Sequence, residues 1–264
     1  MAAIEPMEQF LVHRIVALPP IPVPGLGAID MSITNSVLFM LIAAGAICLF
    51  FALAAKRQLV PGRLQATAEL LYNTVDTMLT GGMIGDRGRP FLPLVFTLFL
   101  FIAMMNFLGL LPMGFTVTSQ LAVTVTLAVM TFLTVLVVGF MRNGLGFFKL
   151  FWPSGVHPAL AFFLMFIEFF SFMIRPATLA MRLFGNMLGG HVVMFVFASF
   201  IIGLGLFGLQ GGLASLGFLG AGLSFAMVVA LMALEIVVAV IQAFVFSALT
   251  CIYLNEVVNL GHGH

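Results

Sequence analysis

Charged side chains are scarce in this sequence. Only 7% of its 264 residues are Asp, Glu, Lys or Arg, whereas a soluble domain usually carries about 25%. So few charges cannot cover a water-facing surface, and 62% of the residues are hydrophobic. Because backbone polar groups in lipid must be satisfied within the chain, only helices or closed barrels fit this composition. The apolar residues form long runs rather than alternating ones, which predicts an all-α membrane protein.

Other features that the sequence lacks exclude several classes of function. The net charge of +1 gives no electrostatic basis for binding nucleic acid. The only cysteines, Cys48 and Cys251, lie inside apolar runs, which predicts buried hydrophobic side chains and neither a metal site nor a disulfide framework. Glu5 and Glu8 occur near the N-terminus without a basic region leading into an apolar core. We therefore expect neither a cleavable signal peptide nor an Arg-rich transit peptide.

Five apolar stretches are long enough to cross a membrane. The run from Val37 to Ala55 alone can span a hydrocarbon core of roughly 30 Å. The predicted spans cover about 36–56, 91–112, 119–141, 158–206 and 221–258. The last two are longer than a perpendicular crossing requires, so we expect long, steeply tilted helices.

Glycines separate the two longest spans. Within 203–222 they include Gly203, Gly205, Gly208, Gly211 and Gly212. Glycine permits sharp turns and close contact between backbones. The run therefore predicts a tight turn with close backbone approach.

The flanking residues predict the topology. Residues 1–33 are predicted to form an N-terminal segment outside the membrane, where the proline-rich run 18–24 blocks regular helix, and 34–264 a single transmembrane domain. Lys56 and Arg57 follow the first span, and Arg142 and Lys149 follow the third. By the positive-inside rule these ends are cytoplasmic or on the matrix side, so the N-terminus lies outside and the C-terminus inside.

A different pattern marks residues 62–80. Leu64, Ala68, Leu71, Val75 and Met78 recur at alternating steps of four and three, while polar residues fall elsewhere. This spacing predicts an amphipathic helix at the inner membrane surface. The alternative is a re-entrant or packing helix.

Polar side chains occur inside the two longest spans. Placing a charge at the bilayer centre costs at least about 2.5–3.5 kcal/mol, so each such residue is a functional hypothesis. The residues are Glu168, Arg175, Arg182, His191, Glu235 and Gln242.

Their spacing groups them. Glu168, Arg175 and Arg182 lie seven residues apart, which places them on one helix face to within about 20° per step. Asn186 lies one turn beyond Arg182 on that face. Arg182 has no acidic residue within a turn on either side, so we expect its guanidinium to find a partner from elsewhere.

A second group combines an acid with an imidazole. Glu235 and Gln242 are also seven residues apart, so the last helix carries a polar stripe that can face the other one. His191 and Glu235 on neighbouring helices can pass a proton, because imidazole titrates near a pH of about 6.5. Together they indicate a proton relay.

Structural roles remain open for several of these residues. Arg175 could extend its side chain to an interface, and Glu168 could be its structural counter-charge. Arg182 could also have a purely structural role. Asn106 could line a polar cavity or form an interhelical hydrogen bond.

At this point the sequence resembles a known family. Residues 179–187 read Leu-Ala-Met-Arg-Leu-Phe-Gly-Asn-Met after Arg175 and Pro176, which is similar to the signature segment of subunit a of F-type ATP synthases. The last helix is similar to that family at 242–246, 249–250 and 253–254, and Asn106 before 110–112 matches as well. The resemblance covers nearly the whole chain, including the order of the spans.

The resemblance implies a role for Arg182. Arg182 would be the essential arginine that faces the rotor ring of c subunits, and Gln242 would lie beside it on the last helix. A fixed guanidinium favours the ionised form of a ring carboxylate, so that carboxylate releases its proton to one aqueous path and reloads from the other.

The resemblance also implies two half-channels. His191 and Glu235 would lie in the one open to the periplasm or intermembrane space. Some relatives exchange the acid and the imidazole between these positions. Glu168 and Asn186 would belong to the half-channel open to the cytoplasm or matrix, and Arg175 would belong to the proton path.

The function implied is that of a proton-translocating stator subunit in the membrane sector of ATP synthase. Its expected partners are the c-subunit ring, b-type peripheral stalk subunits, the rest of the complex, the lipid bilayer and protons, with no nucleic acid. We expect no cofactor or metal, and no enzyme activity of its own, because the sequence has no Walker-type P-loop. The expected location is a bacterial inner membrane, or alternatively a mitochondrial one.

Two rival functions remain. A self-contained ion channel or secondary transporter would also need charges in the membrane, but many transporters show internal repeats, and none is visible in this sequence. A structural scaffold is the second rival, and it predicts that Arg182 tolerates a neutral replacement.

Overall fold

The computed structural model describes residues 11–16, 21–23, 27–29, 32–55, 62–111, 114–152, 158–210 and 215–260. Some residues used in the predictions lie outside this part of the chain: Glu5 and Glu8, Lys56 and Arg57, Gly211 and Gly212, most of the proline-rich run, and the C-terminal residues 261–264.

Helices make up most of the described chain. They are α1 (Asn35–Ala54), α2 (Arg63–Val75), α3 (Leu92–Gly109), α4 (Leu121–Asn143), α5 (Pro158–Gly208) and α6 (Gly217–Val258). Five helical segments of the described residues, containing every one of these helices except α2, are long and apolar enough to cross a membrane. The predicted all-α membrane protein is therefore confirmed.

The two longest helices differ slightly from their predicted bounds. The 51-residue α5 continues to Gly208, and the 42-residue α6 begins at Gly217. Gly203 and Gly205 have no neighbouring side chain or distant backbone within 4 Å of a built Cβ, so they belong to the helix and make no close approach. A Cβ on Gly217 would instead lie 3.0 Å from the Gly208 nitrogen and 3.3 Å from its Cα, so the two backbones approach closely there. The predicted close approach is therefore confirmed at Gly208 and wrong at Gly203 and Gly205.

Short elements connect the helices. A π-helix covers Asp76–Ile84, and 3-10 helices cover Asp86–Phe91, Val117–Ser119 and Gly144–Phe151. The N-terminal segment contains four strands, β1 (Arg14–Val16), β2 (Ile21–Val23), β3 (Gly27–Ile29) and β4 (Ile33–Thr34), in two antiparallel pairs, β1 with β4 and β2 with β3. The sequence patterns did not predict these strands.

The apolar stripe of residues 64–78 is partly buried and partly exposed. Val75 is buried and so is Leu79 in the following π-helix, whereas Leu64 and Met78 are exposed. Exposure in the chain alone does not test a helix at a membrane surface, so the amphipathic surface helix stays a prediction. A π turn takes more residues than an α turn, which favours Leu79 rather than Met78 beneath Val75.

The chain folds into two compact units, each built from three separate stretches of sequence. The first comprises residues 1–45, 103–120 and 184–241, and the second comprises 46–102, 121–183 and 242–264. The first unit contains His191 and Glu235, and the second contains Arg175, Arg182 and Gln242.

Aromatic rings build the core of the second unit. Phe172 of α5 is buried, and its ring centroid lies 5.5 Å from that of Phe151 and 6.1 Å from that of Phe147. A Cβ on Gly139 of α4 would lie 2.7 Å from the Phe147 ring, so only glycine leaves room for this packing. The core therefore holds α4 and α5 at the end of α4 where Arg142 lies.

Candidate functional site

Arg175 is surrounded by partners from the second unit. Its guanidinium Nη1 donates a hydrogen bond to the Glu256 carboxylate, and Nη2 lies 3.6 Å from Glu168 Oε1. The same guanidinium lies 5.3 Å from the Phe172 ring centroid and 5.0 Å from that of Tyr253. Arg175 therefore has two carboxylate counter-charges and two aromatic faces within its own chain.

The two carboxylates beside Arg175 remain accessible. The Glu168 side chain is 46% exposed and that of Glu256 is 32% exposed, while that of Arg175 is only 15% exposed. This geometry supports the alternative that Glu168 is the counter-charge of Arg175. It also leaves both acidic groups partly open at the surface of this chain.

Arg182 has a different environment, although it lies two turns further along α5. It is exposed, whereas its neighbours Ala180 and Leu183 are buried. Arg182 forms no hydrogen bond or ion pair with any residue that the structure describes. Thr178, one turn before it, is exposed as well. Arg182 therefore lies on an outward face of α5 and has no counter-charge in the described part of its own chain.

Gln242 points inward on α6. It is 3% exposed, and the adjacent Ala243 is fully buried. Within the described residues no hydrogen bond joins Gln242 to Arg182. The structure therefore places these two predicted site residues in the same unit without pairing them.

His191 is buried in the first unit and contacts a threonine. Its Nε2 lies 3.2 Å from the hydroxyl of Thr116, which occupies the loop between α3 and α4. Both side chains are buried. The direction of the hydrogen bond depends on the histidine tautomer, which the partners of the threonine hydroxyl can fix.

Glu235 is buried against the backbone next to His191. A Cβ built on Gly190 would lie 3.1 Å from Glu235 Cδ and 3.3 Å from its Cγ. Glu235 is 7% exposed, and neither of its carboxylate oxygens has a hydrogen-bond partner in the described part of the chain. Because Gly190 directly precedes His191, the structure brings the predicted acid and imidazole to neighbouring positions. A buried carboxylate without a partner is most stable when it is protonated or hydrated.

The two asparagines are arranged differently. Asn106 is fully buried, and its Nδ2 donates to the Ala239 carbonyl at 3.1 Å, which links α3 to α6. This contact is the interhelical hydrogen bond that was predicted as the structural role of Asn106. Its Oδ1 has no partner among the described residues. Asn186 is exposed on α5.

Sequence reasoning missed Glu256 and Thr116. Glu256 lies fourteen residues after Gln242, so it continues the seven-residue spacing of Glu235 and Gln242 on α6. That spacing could have identified it. Thr116 belongs to no repeating pattern, and its importance is visible only from its contact with His191.

Comparison with known proteins gives a consistent result. Residues 37–255 match the family model described as ATP synthase A chain. ATP synthase subunit a of Rhodopseudomonas palustris (strain HaA2) is 47% identical over 260 residues, which cover 98% of this chain and 100% of the relative. The subunit a proteins of Allorhizobium ampelinum and Rhizobium meliloti are 47% and 46% identical, and each alignment covers 98% of this chain and 99% of the relative.

The similarity covers the residues discussed above. All seven side chains predicted from the sequence lie inside the matched region, and Glu256 lies one position beyond its end. The match extends over most of the chain rather than over a single motif. The chain therefore belongs to the ATP synthase A chain family.

Proposed function

We propose that this chain is the proton-translocating stator subunit in the membrane sector of an ATP synthase. The observation that carries the proposal is the exposed Arg182, which has no counter-charge among the described residues of its own chain. A lone charge in the membrane costs at least about 2.5–3.5 kcal/mol, so a carboxylate from another subunit has to offset it. The proposed source of that carboxylate is the ring of c subunits.

In this mechanism Arg182 controls the charge of each ring carboxylate. A carboxylate that passes through lipid has to be protonated. Opposite Arg182 the ionised form is favoured by Coulomb attraction, so the carboxylate gives up its proton to one aqueous path. It takes up another proton from the second path before it re-enters the lipid. The positive charge also repels any proton that moves directly between the two paths.

The outer half-channel is proposed to pass His191 and Glu235. The carboxylate oxygens of Glu235 and the Oδ1 of Asn106, which have no partner among the described residues, can bind water, and a carboxylate, an imidazole and water can exchange protons. Ala239, which accepts the hydrogen bond from Asn106, lies one turn after Glu235 on α6. The buried polar atoms of the first unit therefore form a candidate path.

The inner half-channel is proposed to include Glu168, Arg175 and Glu256, and Asn186 is assigned to the same half-channel. The partly exposed carboxylates on either side of Arg175 can pass a proton, while the guanidinium balances their charge. Gln242 is assigned to the region beside Arg182, as a polar side chain that is buried on α6.

The lengths of α5 and α6 fit helices that lie along the outer surface of a ring of c subunits. With 51 residues α5 is about 75 Å long, more than twice a membrane core of roughly 30 Å. We therefore expect α5 and α6 to be steeply tilted against the c ring, with b-type stalk subunits as further partners. The relatives are bacterial, so the proposed location is a bacterial inner membrane with the N-terminus periplasmic and the C-terminus cytoplasmic.

The test is ATP-driven proton pumping by the whole complex in inverted membrane vesicles. Arg182→Ala is expected to abolish pumping while the soluble part of the complex still hydrolyses ATP. The matched control is Arg89→Ala, because Arg89 is 78% exposed and its ion pair with Asp86 is weak. This control should pump at the wild-type rate. Normal pumping by Arg182→Ala would contradict the proposal and favour a scaffold or an independent transporter.

A further inference from the structure

The backbone of Thr116 is held in place by the short 3-10 helix that follows it. The Thr116 carbonyl accepts a hydrogen bond from the Ser119 amide at 3.2 Å and another from the Ser119 hydroxyl at 2.6 Å. Both residues are buried, at 6% and 4% exposure. The side chain of Thr116 therefore extends from a fixed point of the α3–α4 loop.

The Thr116 hydroxyl has a second contact besides the one with His191. It donates to the Gly109 carbonyl at 3.4 Å. A Cβ on Gly109 would lie 3.0 Å from Thr116 Cγ2 and 3.1 Å from its Oγ1, so glycine at 109 makes this approach possible. A hydroxyl has only one proton. With that proton directed to Gly109, the lone pairs are left for His191 Nε2, 3.2 Å away.

This arrangement favours one state of the imidazole. A hydroxyl that donates to Gly109 can accept a hydrogen bond from His191, which favours the neutral ring with its proton on Nε2. The contact also holds the ring at that nitrogen, so it fixes how the ring is turned.

We infer that Thr116 is a positioning residue that fixes the orientation and tautomer of the proton-relay residue His191. The inference rests on the proposed function, because it assumes that protons pass through His191. It adds a residue of the α3–α4 loop to a path otherwise built from α3, α5 and α6. It also gives a reason for the close approach of Thr116 to Gly109.

Two substitutions separate the hydroxyl from the shape of the side chain. Thr116→Val keeps the shape of the side chain and removes the hydroxyl. Thr116→Ser keeps the hydroxyl and removes the methyl group. Loss of one hydrogen bond predicts that Thr116→Val slows ATP-driven pumping by the assembled complex about threefold to tenfold. Thr116→Ser should pump close to the wild-type rate. The control is Thr118→Val, because the buried Thr118 hydroxyl has no partner in the described part of the chain, and it should leave pumping unchanged.

A double-mutant cycle then tests whether Thr116 acts through His191. In complexes that carry His191→Gln, adding Thr116→Val should cause no further loss. A full additional loss in that background, wild-type pumping by Thr116→Val, or equal losses for Val and Ser at 116 would each overturn the inference. Unimpaired pumping by His191→Gln alone would overturn the assignment of His191 to the proton path, and the inference with it.

Discussion

A methyl group at Gly190 would collide with the Glu235 carboxylate. The added Cβ would lie 3.1 Å from Glu235 Cδ and 3.3 Å from its Cγ, closer than ordinary van der Waals contact. Glu235 is 7% exposed, so its side chain has little free space into which it can move. Gly190→Ala should therefore displace the carboxylate from its position beside His191.

The free-energy changes expected for Gly190→Ala are large enough to impair proton transfer but too small to unfold the chain. Overpacking of this kind costs about 1–3 kcal/mol. Replacing a helix-interior glycine by alanine recovers roughly 0.5–1 kcal/mol. The remaining penalty is small for the whole fold but acts directly on the acid of the proposed relay. If it raises the barrier to proton transfer by about 1.4 kcal/mol, pumping falls about tenfold.

The assay is ATP-driven pumping in inverted vesicles, normalised to the amount of assembled complex. Gly205→Ala is the matched control, because Gly205 lies in the same helix and the same unit and has no atom within 4 Å of its built Cβ. The control should pump at the wild-type rate. Equal pumping by Gly190→Ala and Gly205→Ala would refute the assignment of the Glu235 position to the proton path.

Two further predictions concern stability and can be checked from the thermal unfolding midpoint of the chain in detergent. Glu256→Gln removes a charged partner of Arg175 and should cost about 1–3 kcal/mol, less than the loss of a fully buried pair because Glu256 is partly exposed, whereas Glu69→Gln at an exposed position should cost little. Phe172→Ala empties the aromatic core and should cost about 3–5 kcal/mol, whereas Phe170→Ala should have a small effect because Phe170 is 55% exposed. Equal shifts within either pair would contradict the packing described for the second unit.

The sequence was sufficient to predict the helices that cross the membrane. Each span is a long apolar run, and such a run has no stable alternative in lipid other than a helix or a closed barrel. The β1–β4 and β2–β3 pairs were not predictable, because they are short and carry no alternating pattern. The π-helix that begins at Asp76 was also missed, and with it the burial of Leu79.

The sequence was sufficient to assign the candidate site residues to faces of helices, but not to predict their contacts. The seven-residue spacing put Glu168, Arg175 and Arg182 on one face of α5, but it could not predict that Arg175 also pairs with Glu256. That pairing depends on the register between α5 and α6, which brings Glu256 to Arg175. The contact between Thr116 and His191 depends on how the loop folds back, which helix periodicity does not determine.

The most direct test of the central claim is disulfide cross-linking between α5 and the c ring. Thr178 is exposed one turn before Arg182, so Thr178→Cys should cross-link to a cysteine placed one turn from the ring carboxylate. Ala180→Cys is the matched control, because Ala180 is 1% exposed and lies on the inner side of the same helix. The account predicts a cross-link from position 178 and none from position 180. No cross-link from 178, or equal cross-linking from both positions, would contradict the claim that Arg182 faces the ring.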